Sequence, residues 1–244
     1  LLSALLFFAY SNSLDSDDSL PVYLRGLNWS NVQEFLSVDL RLPDDAMPYK
    51  YIIELYVDVR GHERDIQAEL KEIEIFSESI GVSRVSSDSA RETITIHVNR
   101  TIRVKEMFTL KIVYRGVAIM DEYGLYENWD PKFNHFLDSN GPIILLSNNF
   151  PTGARSWFPC FDEPEKKATF HLIVNHPNGM NVYSNTGIER KDSLPIGRTQ
   201  TVFHETPLIS THQVALSVNH YSTQTLNVKN FGTVVISLTY HGNL

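Results

Sequence analysis

The chain is poor in cysteine: Cys160 is the only one in 244 residues. It has no intrachain partner, so no disulfide can brace the fold. Its place between Pro159 and Phe161 is that of a buried structural thiol rather than a reactive one. Cationic surplus is also missing. With Lys+Arg 21 against Asp+Glu 29, a net charge of −8 and no Lys/Arg run, the surface lacks what phosphate contacts require, which excludes nucleic acid as a partner. An acidic balance suits cationic ligands such as peptide amino termini, and above all solubility. No Gly-x-Ser-x-Gly elbow is present for nucleophilic catalysis. There is no H-E-x-x-H either, the spacing that turns two imidazoles onto one zinc with a Glu as general base. The nearest approach, His62-Glu63-Arg64-Asp65-Ile66, ends without its second His. The remaining histidines fail as a metal set too. His171 and His176 lie five apart and His204, His212 and His220 eight apart, with no cysteine partner, so no metal site is expected in this chain.

What the chain does contain is strand. Hydrophobic residues at 42% and charged residues at 20% are an ordinary globular balance, and 244 residues suffice for a substantial core. Apolar and polar residues alternate over Glu34–Leu42, and β-branched and aromatic residues fill Tyr51–Val59, Thr93–Val98, Phe108–Tyr114, Thr169–Asn175 and Val234–Tyr240. Turn signals separate them, at Leu42-Pro43-Asp44-Asp45, Arg60-Gly61 and His176-Pro177-Asn178-Gly179. One segment stays open. Over Asp65–Glu74, Ile66, Leu70 and Ile73 fall at i, i+4 and i+7 as in an amphipathic helix, yet the charges and the apolar tail Ile73–Phe76 suit a strand equally. Short strands without alternating helices predict an all-β fold, an antiparallel sandwich or saddle.

The ends of the chain suggest its setting. LLSALLFFAY is an apolar run of about ten residues, half of the roughly 20 that span a bilayer as a helix. The polar SNSLDSDDS follows, with the composition of a flexible stalk. Residues 1–20 are therefore expected to be the end of a signal peptide or anchor plus a stalk, and residues 21–244 a single β-domain. Two N-glycosylation tripeptides, Asn28-Trp29-Ser30 and Asn99-Arg100-Thr101, agree with a secreted chain or one on the extracellular side of the plasma membrane.

The densest motif is Ala154-Arg155-Ser156-Trp157-Phe158-Pro159-Cys160-Phe161-Asp162-Glu163-Pro164, followed by Lys167-Ala168-Thr169-Phe170. It closely resembles a signature of the aminopeptidase N family of zinc exopeptidases, in the N-terminal β-domain that flanks the active site without holding the metal. Four further elements resemble the family in the same order. They are Arg41-Leu42-Pro43 with Pro48 and Tyr51, then Gly124-Leu125-Tyr126, Met180–Asn185, and Pro207-Leu208-Ile209-Ser210-Thr211 running on into Ala215–Val218. The resemblance covers about residues 40 to 241. It implies a substrate-side domain, with zinc held by a separate catalytic domain and no cofactor in this chain. Its implied partners are that downstream domain and peptides with free amino termini. A non-catalytic extracellular module that binds a peptide or another partner is the alternative.

Two departures bear on function. The family reads T-Q-F-E before P-T-x-A-R, the Gln lining the first specificity pocket and the Glu helping to hold the substrate's free amine. Here the four positions are Ser147-Asn148-Asn149-Phe150. Asn148 keeps hydrogen-bonding capacity on a shorter side chain. Phe150 has neither charge nor acceptor oxygen. Losing one partner of a buried charged hydrogen bond costs roughly 2–5 kcal/mol, whereas a ring face attracts a cation by only about 0.5–2 kcal/mol. Asn148 and Phe150 are thus the candidate substrate-binding residues. The second departure is length: between Val59 and Ile80 the chain is shorter than the family by about one hairpin, including an F-x-G-x-V strand.

Within the signature, Arg155, Phe158, Pro159, Asp162, Glu163 and Pro164 are expected to be structural. Neighbouring carboxylates on a strand point to opposite faces, which suits Asp162 and Glu163 to ion pairing and turn capping better than to acid–base catalysis. The planar guanidinium of Arg155 suits pairing with such a carboxylate. Trp157, Phe158 and Phe161 are expected in the core.

Overall fold

The computed structural model describes residues 2–9, 22–25, 49–57, 69–88, 93–102, 107–115, 123–128, 144–220, 222–228 and 232–238. These residues are all-β apart from two single-turn 3-10 segments, Ala154–Ser156 and Thr211–Gln213. The predicted strands appear with small shifts of boundary. Glu34–Leu42, Pro43–Asp45 and Arg60-Gly61 lie outside the described residues.

Period-two burial explains the largest sheet. In β3 (Tyr49–Tyr56), Tyr51, Ile53 and Leu55 are buried, with half-buried Ile52 and Glu54 between them. In β7 (Met107–Arg115) the buried set is Phe108, Leu110, Ile112 and Tyr114. In β10 (Ala168–Pro177) it is Ala168, Phe170, Leu172 and Val174. With β1 (Leu2–Ala9), β4 (Glu69–Phe76), β12 (Ile188–Leu194) and β13 (Arg198–Phe203), these build a seven-stranded sheet of order β12-β13-β10-β3-β1-β7-β4. Its pairs are antiparallel except β3 and β10, which run parallel from Tyr49↔Ala168 to Tyr56↔Asn175. That parallel pair closes on a buried Asn175, whose amide donates to half-buried Glu54 at 2.9 Å and accepts from half-buried Gln200 at 3.0 Å.

Of the segment left open by its spacing, Glu69–Glu74 belongs to β4, an antiparallel partner of β7, and residues 65–68 lie outside the described residues. A register shift between Leu70 and Glu72 breaks the two-residue period, so apolar spacing alone could not separate strand from helix there. Lys111 on β7 bridges Glu72 at 2.9 Å and Glu74 at 3.0 Å across the pair. Being partly exposed, these contacts set register more than they add stability.

Two smaller sheets share the core. The four-stranded one, of order β11-β14-β9-β8, is built from β8 (Gly124–Asn128), β9 (Ile144–Asn148), β11 (Asn181–Ser184) and β14 (Leu216–Asn219). The three-stranded one orders β2 (Val22–Arg25), β6 (Thr93–Val98) and β5 (Val82–Asp88) as β2-β6-β5. Leu125, Leu145, Val182, Leu216 and Val218 from the first, and Ile96 from the second, join the buried face of the large sheet in one hydrophobic cluster. A separate hairpin pairs β15 (Ser222–Val228) with β16 (Gly232–Leu238).

The apolar N-terminal run is β1, paired with β3 from Leu2↔Leu55 to Phe7↔Lys50 and with β7 from Leu2↔Tyr114 to Ala9↔Met107. Among the described strands it stands between those two in the sheet order. Removing residues 1–9 would open two interior edges, each a row of unpaired backbone groups. The shortened chain is expected to unfold at clearly lower urea, with loss of a single cooperative transition. An unchanged midpoint and slope would show that β1 contributes nothing to the domain.

Candidate functional site

The signature segment is the meeting point of the fold. Trp157, Phe158, Cys160 and Phe161 are all at most 2% exposed. Phe158 lies edge-on to Trp157 at 4.7 Å and to Phe170 at 6.1 Å, and Phe170 stacks on Tyr51 at 4.8 Å. Such pairs add about 0.5–1.5 kcal/mol each beyond the area they bury. Two tyrosine hydroxyls fasten the backbone of the segment: Tyr51 accepts from the Phe161 amide at 3.2 Å, and Tyr114 donates to the Trp157 carbonyl at 2.5 Å. Burial pushes the Cys160 thiol well above its ordinary range, with Asp162 adding to the shift, so it stays a protonated apolar group.

A buried carboxylate fixes the next turn. Arg155 Nε donates to Asp162 Oδ2 at 2.6 Å, and Thr211 Oγ1 donates to Asp162 Oδ1 at 2.7 Å. The Asp162 side chain is 1% exposed and that of Arg155 15%. Pro164 offers its carbonyl to the Ser210 hydroxyl at 2.5 Å. Ser210 also opens a capping box, its amide donating to Gln213 Oε1 at 2.9 Å. Glu163 is half-buried, and its carbonyl accepts from the Lys166 amide at 3.0 Å.

The neck of the loop is tight. A Cβ at Gly153 would lie 2.6 Å from the Asn148 carbonyl oxygen and 2.9 Å from Asn149 Cα. Gly124, at φ +70, would place one 1.6 Å from Ser156 Oγ. Glycine at these two positions is what lets β8 and the signature touch.

Above that neck are the two candidate binding residues. Asn148 ends β9 and is exposed, and Phe150 is 73% exposed. Asn149 between them is buried: its amide donates to the Val214 carbonyl at 2.5 Å and accepts from the Trp157 indole at 2.8 Å. The Phe150–Pro151 peptide is cis. Phe150 is not packed into the core; its ring stands edge-on to His212 at 6.0 Å. Asn149 and His212 are not among the binding candidates that the sequence alone supplies. For Asn149 the only sequence signal was a polar residue two before a proline, which gives no hint of burial. For His212 the signal was its position right after the Pro207–Thr211 element.

The histidines are dispersed. His176 is buried, with Nε2 2.9 Å from Thr201 Oγ1, and burial lowers its pKa despite the Pro177 carbonyl on Nδ1. His171 Nε2 lies 3.7 Å from Glu189 Oε2. Among the described residues no group of three or more His, Cys, Asp or Glu could hold a metal ion, and no helix is long and apolar enough to cross a membrane.

The sequence is similar to known proteins. The family model described as the peptidase M1 N-terminal domain matches residues 52–212. Glutamyl aminopeptidase of Rattus norvegicus is 24% identical over 228 residues, 85% of this chain and 23% of that protein. Membrane alanyl aminopeptidase of Manduca sexta is 30% identical over 130 residues, 52% of this chain and 12% of that protein. The human thyrotropin-releasing hormone-degrading ectoenzyme is 28% identical over 144 residues, 59% of this chain and 13% of that protein. The chain spans less than a quarter of the length of these relatives.

The Arg155–Asp162 pair carries an asymmetric prediction. Arg155→Met leaves a buried carboxylate short of its cation and is expected to cost about 3–5 kcal/mol. Asp162→Asn keeps an acceptor for Thr211, while Arg155 retains access to water. Its cost is expected to be smaller, about 1–3 kcal/mol. Urea unfolding of both variants measures the difference, and equal or reversed costs would refute this account of the pair.

Proposed function

The chain belongs to the family of peptidase M1 N-terminal domains, and on that footing we propose that it is the substrate-side domain of a zinc aminopeptidase. In this reading it helps remove N-terminal residues from peptides but is not catalytic by itself. The zinc, which would polarise the scissile carbonyl and activate water, belongs to a catalytic domain; the described residues here offer no donor set for it. The names of two relatives, a membrane aminopeptidase and an ectoenzyme, support placing the protein on the extracellular side of the plasma membrane or outside the cell.

One observation carries the proposal. Asn149 is locked into the core while Asn148 and Phe150, on either side, face solvent. A side chain held outward on a fixed backbone suits the wall of a binding pocket, because little entropy is lost when a ligand meets it. Phe150 gives that wall an apolar face where a carboxylate would have met an ammonium group. The first substrate residue is then held by contact with the ring and by hydrogen bonding to Asn148, with little help from charge. The same exposed ring favours a second reading, a non-catalytic extracellular module that binds a peptide or partner protein.

An antibody to this domain, used on native tissue together with full-length transcript sequencing, separates the two. A product several times larger than 27.9 kDa, with an H-E-x-x-H helix in its additional chain, supports the peptidase reading. A product near 27.9 kDa leaves only the binding module. The 244-residue chain alone is expected to release no product from an aminoacyl reporter in the presence of zinc. In the larger product, Phe150→Glu is expected to lower KM for peptides with a free amine by roughly tenfold, about 1.4 kcal/mol. An unchanged KM would remove Phe150 from the substrate site.

A further inference from the structure

The tripeptide Asn99-Arg100-Thr101 occupies a bend just after β6, and both Asn99 and Thr101 are exposed. The bend is braced against the turn Ser77–Gly81 between β4 and β5. Asn99 N donates to the Gly81 carbonyl at 3.0 Å, and Gly81 N donates to Asn99 Oδ1 at 3.0 Å. This reciprocal pair fixes the side-chain amide with its oxygen inward. Nδ2 makes no hydrogen bond to the described residues. Arg100 is folded onto the same turn, Nε donating to the Ser79 carbonyl at 3.2 Å and Nη1 to the Thr101 carbonyl at 2.7 Å. Nη2 also donates to the Ser79 hydroxyl, so the guanidinium is tied to this turn. Phe76, immediately before the turn, is 54% exposed.

We infer that Asn99 is an acceptor for an N-linked oligosaccharide, which would cover the Phe76–Gly81 corner of the domain. In the transfer, Nδ2 bonds to the anomeric carbon of a polyisoprenyl-diphosphate-linked oligosaccharide. The anomeric C–O bond breaks, the diphosphate leaves with the electron pair, and Nδ2 gives up one of its two protons. The product amide keeps one N–H, and Oδ1 still accepts from Gly81, so the folded geometry survives the modification unchanged. Addition at an amide committed to the core would instead tear a hydrogen bond from its partner, as it would at Asn149 or Asn175. A hydrated glycan beside Phe76 also shields an apolar ring and keeps that corner clear of protein partners.

The inference rests on the extracellular reading only for the native protein, and the test keeps the two apart. The full chain, behind an added cleavable signal sequence, is translated with microsomal membranes. Protease-protected product is then treated with an amidase that converts glycosylated Asn to Asp, and its peptides are weighed. The Asn99 peptide is expected to show the conversion. Thr101→Ser should keep it, and Thr101→Val should abolish it while leaving the Asn99–Gly81 pair in place. An unconverted Asn99 peptide in protected wild-type chain overturns the inference. If that chain is modified but the protein from native tissue is not, the acceptor stands and the extracellular reading falls.

Discussion

The rest of the structure depends on one buried carboxylate. Asp162 holds Arg155 on one oxygen and Thr211 on the other, and so joins the start of the signature, its end, and a segment almost fifty residues later. A carboxylate this deep is tolerable only when both oxygens are paired. That requirement is geometric as well as energetic. It fixes the path of the chain from Arg155 to Asp162, and this path delivers Trp157, Phe158 and Phe161 into the core. It also anchors the segment carrying His212, the neighbour of Phe150.

Read as text, the five elements that resemble the aminopeptidase N family are separate words spread from Arg41 to Val218. Three of them contact the signature directly. Tyr51 receives the Phe161 amide, Gly124 admits Ser156, and Ser210 and Thr211 bind Pro164 and Asp162. The fourth element enters through Asn185, whose amide donates to the Gln213 carbonyl at 2.7 Å and accepts from the Ala215 amide at 2.7 Å. Such residue types are specific because each has one job at one distance: a hydroxyl at the end of a ring, a missing Cβ, a short hydrogen-bonding side chain. The order of the motifs was legible in the sequence. Their convergence was not, since it depends on pairings across more than a hundred residues, such as β3 with β10.

Strands were legible where one face is buried, because burial writes a period of two into the chain, as in Tyr51, Ile53 and Leu55. Legibility failed where that period breaks, at the bulge in β4. It also failed for sheet order. Nothing in the stretch between Val59 and Ile80 says what lies beside β3. In the structure β3 lies between β10 and β1, and β1 is the N-terminal apolar run, which composition alone cannot assign to membrane, leader or sheet.

The candidate binding residues illustrate a different limit. Asn149 is demanded by the fold: its amide satisfies a buried carbonyl and a buried indole at once, and few other side chains offer a donor and an acceptor at that reach. Phe150 is not demanded by the fold. At 73% exposure it recovers little of the roughly 1.5–3 kcal/mol that full burial of such a side chain provides. Fold stability therefore constrains the middle of the Asn148–Phe150 triplet and leaves its flanks to surface chemistry. A carboxylate and a phenyl ring are interchangeable there as far as the domain's own folding is concerned, though they present opposite faces to a ligand. The scaffold and the chemistry of the surface it presents are set by different residues, one position apart.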